Sequence, residues 1–325
     1  MRCSFVPVRL GVIAVACVAV SCTQPLVQTP DARRSPSPSM VQLWANPTDL
    51  DQRDLLWGAG RSGNAPSTRT MYTVLKKDDT GFSRGYDVAD PDGRKWRIKV
   101  GEEAQPEVVL SRILWALGYY QPETYYVTKW QLAGQWELEG QPARFRFESD
   151  HKSDGEWDWR DNPFAGSTPL HGLIVINYLL NNWDLKKTQN RIYVLHDTKA
   201  EPMRRYVVQD LGASLGKPRT LPLPIGSRND VDGFERVDLV KKIDGPEVTL
   251  DYRGQHRELL RDISIADVVW ACELMNRLSD AQLDDAFEAG GYPPNIRERY
   301  IRKIRAKLQE GLDLRPLVEQ AKVHR

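Results

Sequence analysis

The stretch NNWDLKKTQNRIYV, residues 181–194, brings an acid, a base and an amide, Asp184, Lys186 and Asn190, into one short loop. Side chains of these types can take a proton from a hydroxyl, neutralise an anion and offer an oxygen to a cation. Three more charged residues stand out elsewhere: Lys99 in WRIKV, Glu107 eight positions later, and Asp210 in VVQDLG. Phosphoryl transfer from ATP asks for such a set. It needs a glycine-containing turn over the phosphates, a lysine on a strand to bind them and a helix carboxylate to hold that lysine. It also needs an acid near the attacking hydroxyl and two oxygen ligands for Mg²⁺. TGFSRGYDV, residues 80–88, offers the turn with Gly81, Ser83 and Gly85. Each residue alone has a plainer reading. Lys99 can simply extend from a sheet edge, and Glu107 can complement a helix dipole, with Glu102 and Glu103 also near enough to pair with Lys99. Asp184 reads equally as a turn residue and Asn190 as the start of a strand. Their order along the chain is what points to phosphoryl transfer.

The elements that must position these residues are legible from periodicity. MYTVLKK (71–77), GYDVADP (85–91) and RKWRIKV (94–100) alternate apolar and polar residues as strands do, and DPDG (90–93) marks a hairpin turn. PEVVLSRILWALGY then places Val109, Leu110, Ile113, Leu114 and Leu117 on one helical face, with Gly118 ending it. Strands TYYVTKW and ARFRFE follow. Beyond about residue 150 the pattern turns helical. Thr168 is expected to cap a helix with Pro169 at its first position, running to Asn181 or Asn182. Strands NRIYVL and RRYVVQ come next, then an irregular segment, GKPRTLPLPIGSRNDVDGFE. Helices capped by Ser264 and Ser279 follow, with a last one beginning at Pro293–Pro294. The expected fold class is α+β, with a strand-rich lobe over 51–148 and a helix-rich lobe over 149–325.

The chain has 325 residues, a formal net charge of +1 and 41% hydrophobic residues, enough for a large core. Near-neutral charge argues against a nucleic-acid partner, which draws on a surplus of Lys and Arg. Arg2 and Arg9 flank the start of the apolar run LGVIAVACVAV, which fits a secretory signal over 1–21. AVSC resembles a bacterial lipobox, so Cys22 is the expected lipidation site. Residues 22–50 then form a Pro/Ser-rich tether to a membrane. This predicts an exported, lipid-anchored protein in the periplasm or at the cell surface. Thr23 suggests the outer membrane in a Gram-negative cell. Cys272, among apolar neighbours, reads as a small buried hydrophobe, and no disulfide framework is expected.

Three other stretches compete for function. GAGRSG (58–63) matches a dinucleotide-binding pattern, but no strand precedes it and no helix follows, so a loop is expected. GASLG (212–216) matches a nucleophile elbow with Ser214, for which His256 is the candidate base. Pro218 denies it the helix such an elbow enters. DGEWDWRDNPF (154–164) reads as an ordered insertion packing its aromatic rings on the helical lobe.

WRIKV looks like the VAIK strand of protein kinases, WDLKKTQN is similar to their RDLKxxN loop, and QDLG looks like DFG. On these motifs residues 72–212 resemble the protein-kinase-like superfamily, particularly its atypical bacterial and secreted branches. The resemblance implies a two-lobed kinase-like fold with ATP and Mg²⁺ between the lobes. It implies that Gly81, Ser83 and Gly85 cover the phosphates and that Lys99, paired by Glu107, binds them. Asp184 would accept the hydroxyl proton, Lys186 would neutralise the γ-phosphate, and Asn190 and Asp210 would ligate Mg²⁺. The chain departs from the pattern in places. Asp184 and Asn190 are six positions apart where the family has five, and TGFSRG lacks the three-glycine pattern. Trp183 replaces the Arg that answers a phosphorylated activation loop. The acceptor, protein or small molecule, is not specified, and ATP is scarce where an exported domain resides. Two alternatives follow: a non-catalytic kinase-like lipoprotein holding a partner or ligand in its cleft, and a serine hydrolase using Ser214.

Overall fold

The computed structural model describes residues 25–26, 41–79, 81–134, 136–149, 151–195, 203–219, 226–244 and 247–323. The expected signal segment and Cys22 lie outside them. Strands β1 (Pro25–Leu26) and β2 (Val41–Gln42) come first, followed by short 3₁₀ turns. GAGRSG falls on two of these turns, between Gly58 and Asn64, with no helix behind it.

The first lobe is built from β3 (Met71–Asp78), β4 (Gly85–Ala89), β5 (Lys95–Val100), α1 (Ala104–Ala116), β6 (Thr124–Val127), β7 (Gln131–Leu132) and β8 (Ala143–Glu148). Its six strands lie in the order β6-β8-β5-β4-β3-β7. Side chains alternate between the two faces of a strand, so KWRIKV and ARFRFE sort this sheet by chemistry. Trp96, Ile98, Val100 and Phe145 are buried in an aromatic-rich cluster with Tyr72, Tyr86 and Trp130. Arg97 and Lys99 therefore share the opposite face with Arg146 and Arg144, their direct partners across the β5–β8 ladder. α1 packs against β6 and β8. Gly118, at φ +93°, follows its last turn, where a side chain would collide with the Ala45 carbonyl.

The second lobe starts with β9 (Lys152–Ser153) and α2 (Thr168–Leu179), continues through β10 (Asn190–Leu195) and β11 (Met203–Val208), and reaches α3 (Val231–Glu235). A hairpin of β12 (Val240–Asp244) and β13 (Glu247–Leu250) precedes helices α4 (Ile265–Asn276), α5 (Asp280–Ala289), α6 (Pro294–Leu312) and α7 (Arg315–Val323). α2 is apolar on every side and buried from Leu170 to Leu179, because α4 and α6 both pack on it. The whole is a two-lobed α+β fold, strand-rich first and helix-rich second.

Two boundaries of α2 differ from expectation. Its N-cap is Ser167, extended at ψ 146°, whose hydroxyl accepts the Leu170 N–H. Thr168 and Pro169 are thus already helical. The helix closes at Leu179 because Asn181 turns left-handed, at φ 55°. Ser264 and Ser279 cap α4 and α5 with reciprocal side-chain bonds to Asp267 and Gln282, as their positions predict. Cys272 is fully buried among apolar groups, which pushes its thiol up to about 12.

Candidate active site

Lys99 sits near the end of β5 with only 14% of its side chain exposed, and its Nζ is shared by three carboxylates. Asp210 Oδ1 lies at 2.8 Å, Glu107 Oε2 at 3.0 Å and Glu103 Oε2 at 3.4 Å. Glu107 enters from the first turn of α1 and Asp210 from the loop that leaves β11. Burial pulls the Lys99 pKa down, but the charges of Glu107 and Asp210 outweigh it, and the pKa is raised. Burial likewise opposes the Asp210 charge, yet the adjacent Lys99 ammonium, with Arg144 and Arg146 behind it, holds that carboxyl down at about 2. Both groups are therefore ionised at neutral pH.

Glu107, 2% exposed, answers more than one cation. Its Oε1 lies 2.9 Å from Arg144 Nε and 3.6 Å from Arg146. Arg144 also donates to the Arg97 carbonyl at 2.7 Å, and its burial pulls the guanidinium down to about 10. Arg97 is answered at the cleft edge by Asp78 and Asp87. The cations face a cavity of about 170 Å³, with Glu107 bonded to Lys99 and Arg144 but outside the lining. Arg97, Lys99, Arg144 and Arg146 form its sheet side, Gly81, Phe82 and Ser83 cover it, and Gln189, Arg191 and Asp210 close the far side.

The covering turn is fastened down. The Ser83 hydroxyl donates to Glu103 Oε2 at 2.7 Å, and Arg228 pairs with Glu103 Oε1 at 3.3 Å. The Arg228 guanidinium lies over the Phe82 ring at 3.6 Å and over Trp183 at 5.0 Å. One arginine from the segment after Asp210 thus joins the turn, the start of α1 and the 181–194 loop. Gly81 lines the cavity with room around it. Gly85 does something else: it pairs with Lys99 in the ladder, where a Cβ would come within 1.8 Å of the Ile98 carbonyl oxygen.

In the opening loop, Asp184 is 13% exposed and accepts Lys186 Nζ at 3.0 Å and Gln189 Nε2 at 2.9 Å. Lys186 is half exposed, and neither it nor Asp184 lines the cavity. Asn190 is fully buried, and its amide donates to the Trp157 carbonyl at 3.0 Å. The side chain that reaches both the cavity and Asp184 is its neighbour Gln189. Gln189 stands five positions after Asp184, the spacing that Asn190 misses by one.

Glu103, the alternative partner that the sequence offered for Lys99, does pair with it, whereas Arg144, Arg146, Gln189 and Arg228 were not singled out from sequence. The alternation in ARFRFE carries a signal for the two arginines, since it puts both on the face that Lys99 occupies. Arg228 lies in an irregular segment with no periodic pattern to place it.

The competing motifs find other roles. Ser214 is fully buried, its hydroxyl donates to the Leu211 carbonyl at 2.6 Å, and no helix follows it. His256 is paired with Glu258. Neither half of a Ser–His relay is assembled. Trp157 and Trp159 lie buried in the main core, 4.8 Å apart, and Trp157 Nε1 donates to the Val207 carbonyl.

No protein-family model matches this chain, and no curated protein matches it. Among solved structures it is similar to the Rio2 kinase of Chaetomium thermophilum, solved as an ADP/Mg²⁺-phosphoaspartate complex. The two share 13% identity over 74% of this chain and 72% of the other, at a TM-score of 0.31. A superposition that loose carries no argument about the chemistry here.

Proposed function

We propose that this chain is a kinase-like phosphotransferase, moving a phosphoryl group from a Mg²⁺-bound phosphate donor to a hydroxyl. The observation that carries this reading is that Lys99 and Asp210 meet in one cavity with Glu107 paired to Lys99, although Lys99 and Asp210 are 111 positions apart. A buried lysine held by a helix carboxylate, next to a carboxylate from a loop, is the arrangement that phosphate binding by charge requires.

The residues fit phosphate and Mg²⁺ better than they fit a purine. Among the described residues no group of three acidic, His or Cys side chains could hold a metal. Mg²⁺ is nonetheless commonly held by one or two carboxylates, with substrate phosphates completing its shell. Asp210, whose Oδ1 is taken by Lys99, would offer its second oxygen. When bound, the metal would neutralise charge on the transferring group. Lys99 would bind the donor phosphates, with Glu107 keeping it charged and aimed. Asp184, oriented by Gln189 and Lys186, would accept the proton of the acceptor hydroxyl. For the adenine ring, by contrast, the sheet side of the cavity offers arginines, and Phe82 is the one large apolar group lining it.

One observation favours a second reading, a non-catalytic kinase-like protein that binds its ligand in the cleft. Asn190, the second metal ligand that the resemblance implies, is tied to the Trp157 carbonyl and does not line the cavity. In either reading we place the protein outside the cytoplasm, tethered to a membrane through Cys22. Incubating the full chain with Mg²⁺ and either ATP or tripolyphosphate, and following phosphate release or transfer, separates the two. An enzyme turns the donor over and loses about 10²-fold or more of that rate in Asp184→Asn and in Asp210→Asn. Donor binding without turnover in the unsubstituted chain would leave the binding reading.

A further inference from the structure

Arg146 is the guanidinium of this cavity that its neighbours leave unsatisfied. The residue is 7% exposed and lines the cavity, yet among the described residues its guanidinium makes no hydrogen bond. Its one ion pair, to Glu107 Oε1, is 3.6 Å long, and that oxygen already lies 2.9 Å from Arg144 Nε. Guanidinium groups have five N–H donors, and burying one without acceptors is costly.

The surroundings deepen the imbalance. Lys99 stands directly across the ladder from Arg144, and Arg97 across from Arg146. Like charges placed opposite one another in a sheet repel unless something answers them. Arg97 has Asp78 and Asp87. Glu103 is claimed by Ser83 and Arg228 as well as by Lys99. That leaves Lys99, Arg144 and Arg146 around Glu107, and Arg146 is the most distant of the three, at 3.6 Å against 3.0 and 2.9 Å.

We propose that the Arg146 end of the cavity binds a second anionic group of the ligand that Lys99 holds, so that the ligand is an oligophosphate rather than a nucleotide gripped through its base. The inference rests on the phosphotransferase reading for the Lys99 end and adds the chemistry of the other end. A phosphate at Arg146 supplies the acceptors the guanidinium lacks, in charge-assisted bonds. A purine there would leave the same group buried and unpaired.

Titration calorimetry of the full chain in Mg²⁺ buffer, with tripolyphosphate and ATP as probes, tests this. Tripolyphosphate is expected to bind about tenfold tighter than ATP, and Arg146→Gln to weaken tripolyphosphate by about tenfold and so to remove that preference. Lys99→Met is expected to weaken both. Equal affinity of the unsubstituted chain for the two probes overturns the inference without any variant needing to fold. So does a tripolyphosphate affinity that stays within about twofold in Arg146→Gln, while Lys99→Met still weakens it. If Lys99→Met leaves both titrations unchanged, the phosphotransferase reading itself fails, and the inference with it.

Discussion

Gln189 and Asn190 are adjacent residues with similar amide chemistry and opposite placements. Asn190 begins β10, where the strand turns its side chain inward beneath Trp157. Gln189 ends the short 3₁₀ turn before it and reaches Asp184 and the cavity. The two substitutions should therefore separate. Gln189→Ala is expected to leave the unfolding temperature unchanged and lower turnover by about tenfold, through a loosened Asp184. Asn190→Ala should act mainly on stability, costing about 1–3 kcal/mol, because the buried Trp157 carbonyl loses its donor. Chemical denaturation and initial rates on both variants check this. Motif matching favours the Asn because the family carries Asn. Spacing favours the Gln, and the geometry follows the spacing.

At the scale of elements, the β5–β8 pair is the part of the site most nearly readable in advance. A strand has a period of two, so once Trp96, Ile98 and Phe145 are assigned inward, Lys99 and Arg144 must share the other face. The glycine turn was less legible, because TGFSRGYDV does not say which glycine serves the cavity. Gly81 lines it, whereas Gly85 lets β4 approach β5. Gly85→Ala is thus expected to force the two strands apart beside Lys99 and lower stability by about 1–3 kcal/mol or more. Gly81→Ala, with no contact closer than 3.5 Å, should be nearly neutral for folding. Comparing the two by thermal unfolding is the check, and equal losses would remove the distinction drawn here.

Across the molecule, the loop carrying Asp184 is anchored from the far end of the chain. Lys307, on α6, is fully buried and donates to the Leu179 carbonyl at 2.8 Å and to Asn181 Oδ1 at 2.7 Å. Burial, reinforced by the nearby Lys303 charge, lowers its pKa from 10.5 to about 7. Between those two values the folded protein binds fewer protons than the unfolded chain. Stability should therefore rise with pH across that window, by up to about 1.4 kcal/mol per pH unit from this group alone. Below pH 7 both states hold the proton, and the cost of burying the charge is felt in full. Lys307→Met is expected to flatten this rise, as denaturant midpoints measured from pH 7 to pH 10 will show. In the stretch RYIRKIRAKLQEGL helical spacing sets Lys307 on the face of Tyr300, Ile304 and Leu308, apart from the other basic residues, and the packing of that face buries it.

The sequence alone determined the order of the longer strands and helices, because periodicity, turn chemistry and helix caps are local, but it missed α3 inside the segment read as irregular, the β12–β13 hairpin, and α7 beyond the helix expected to be last. It also determined which residue types stood on which elements: a lysine on a strand, a glutamate at a helix start, acids in two loops. Tertiary structure decided which of them meet. Lys99 and Asp210 share one cavity, with Glu107 paired to Lys99, because a sheet face, a helix N-terminus and a loop are packed together. The same packing left Arg146 short of acceptors and turned Asn190 away. Pairings across a hundred residues depend on how elements dock, and docking is governed by the burial of whole faces rather than by any short motif.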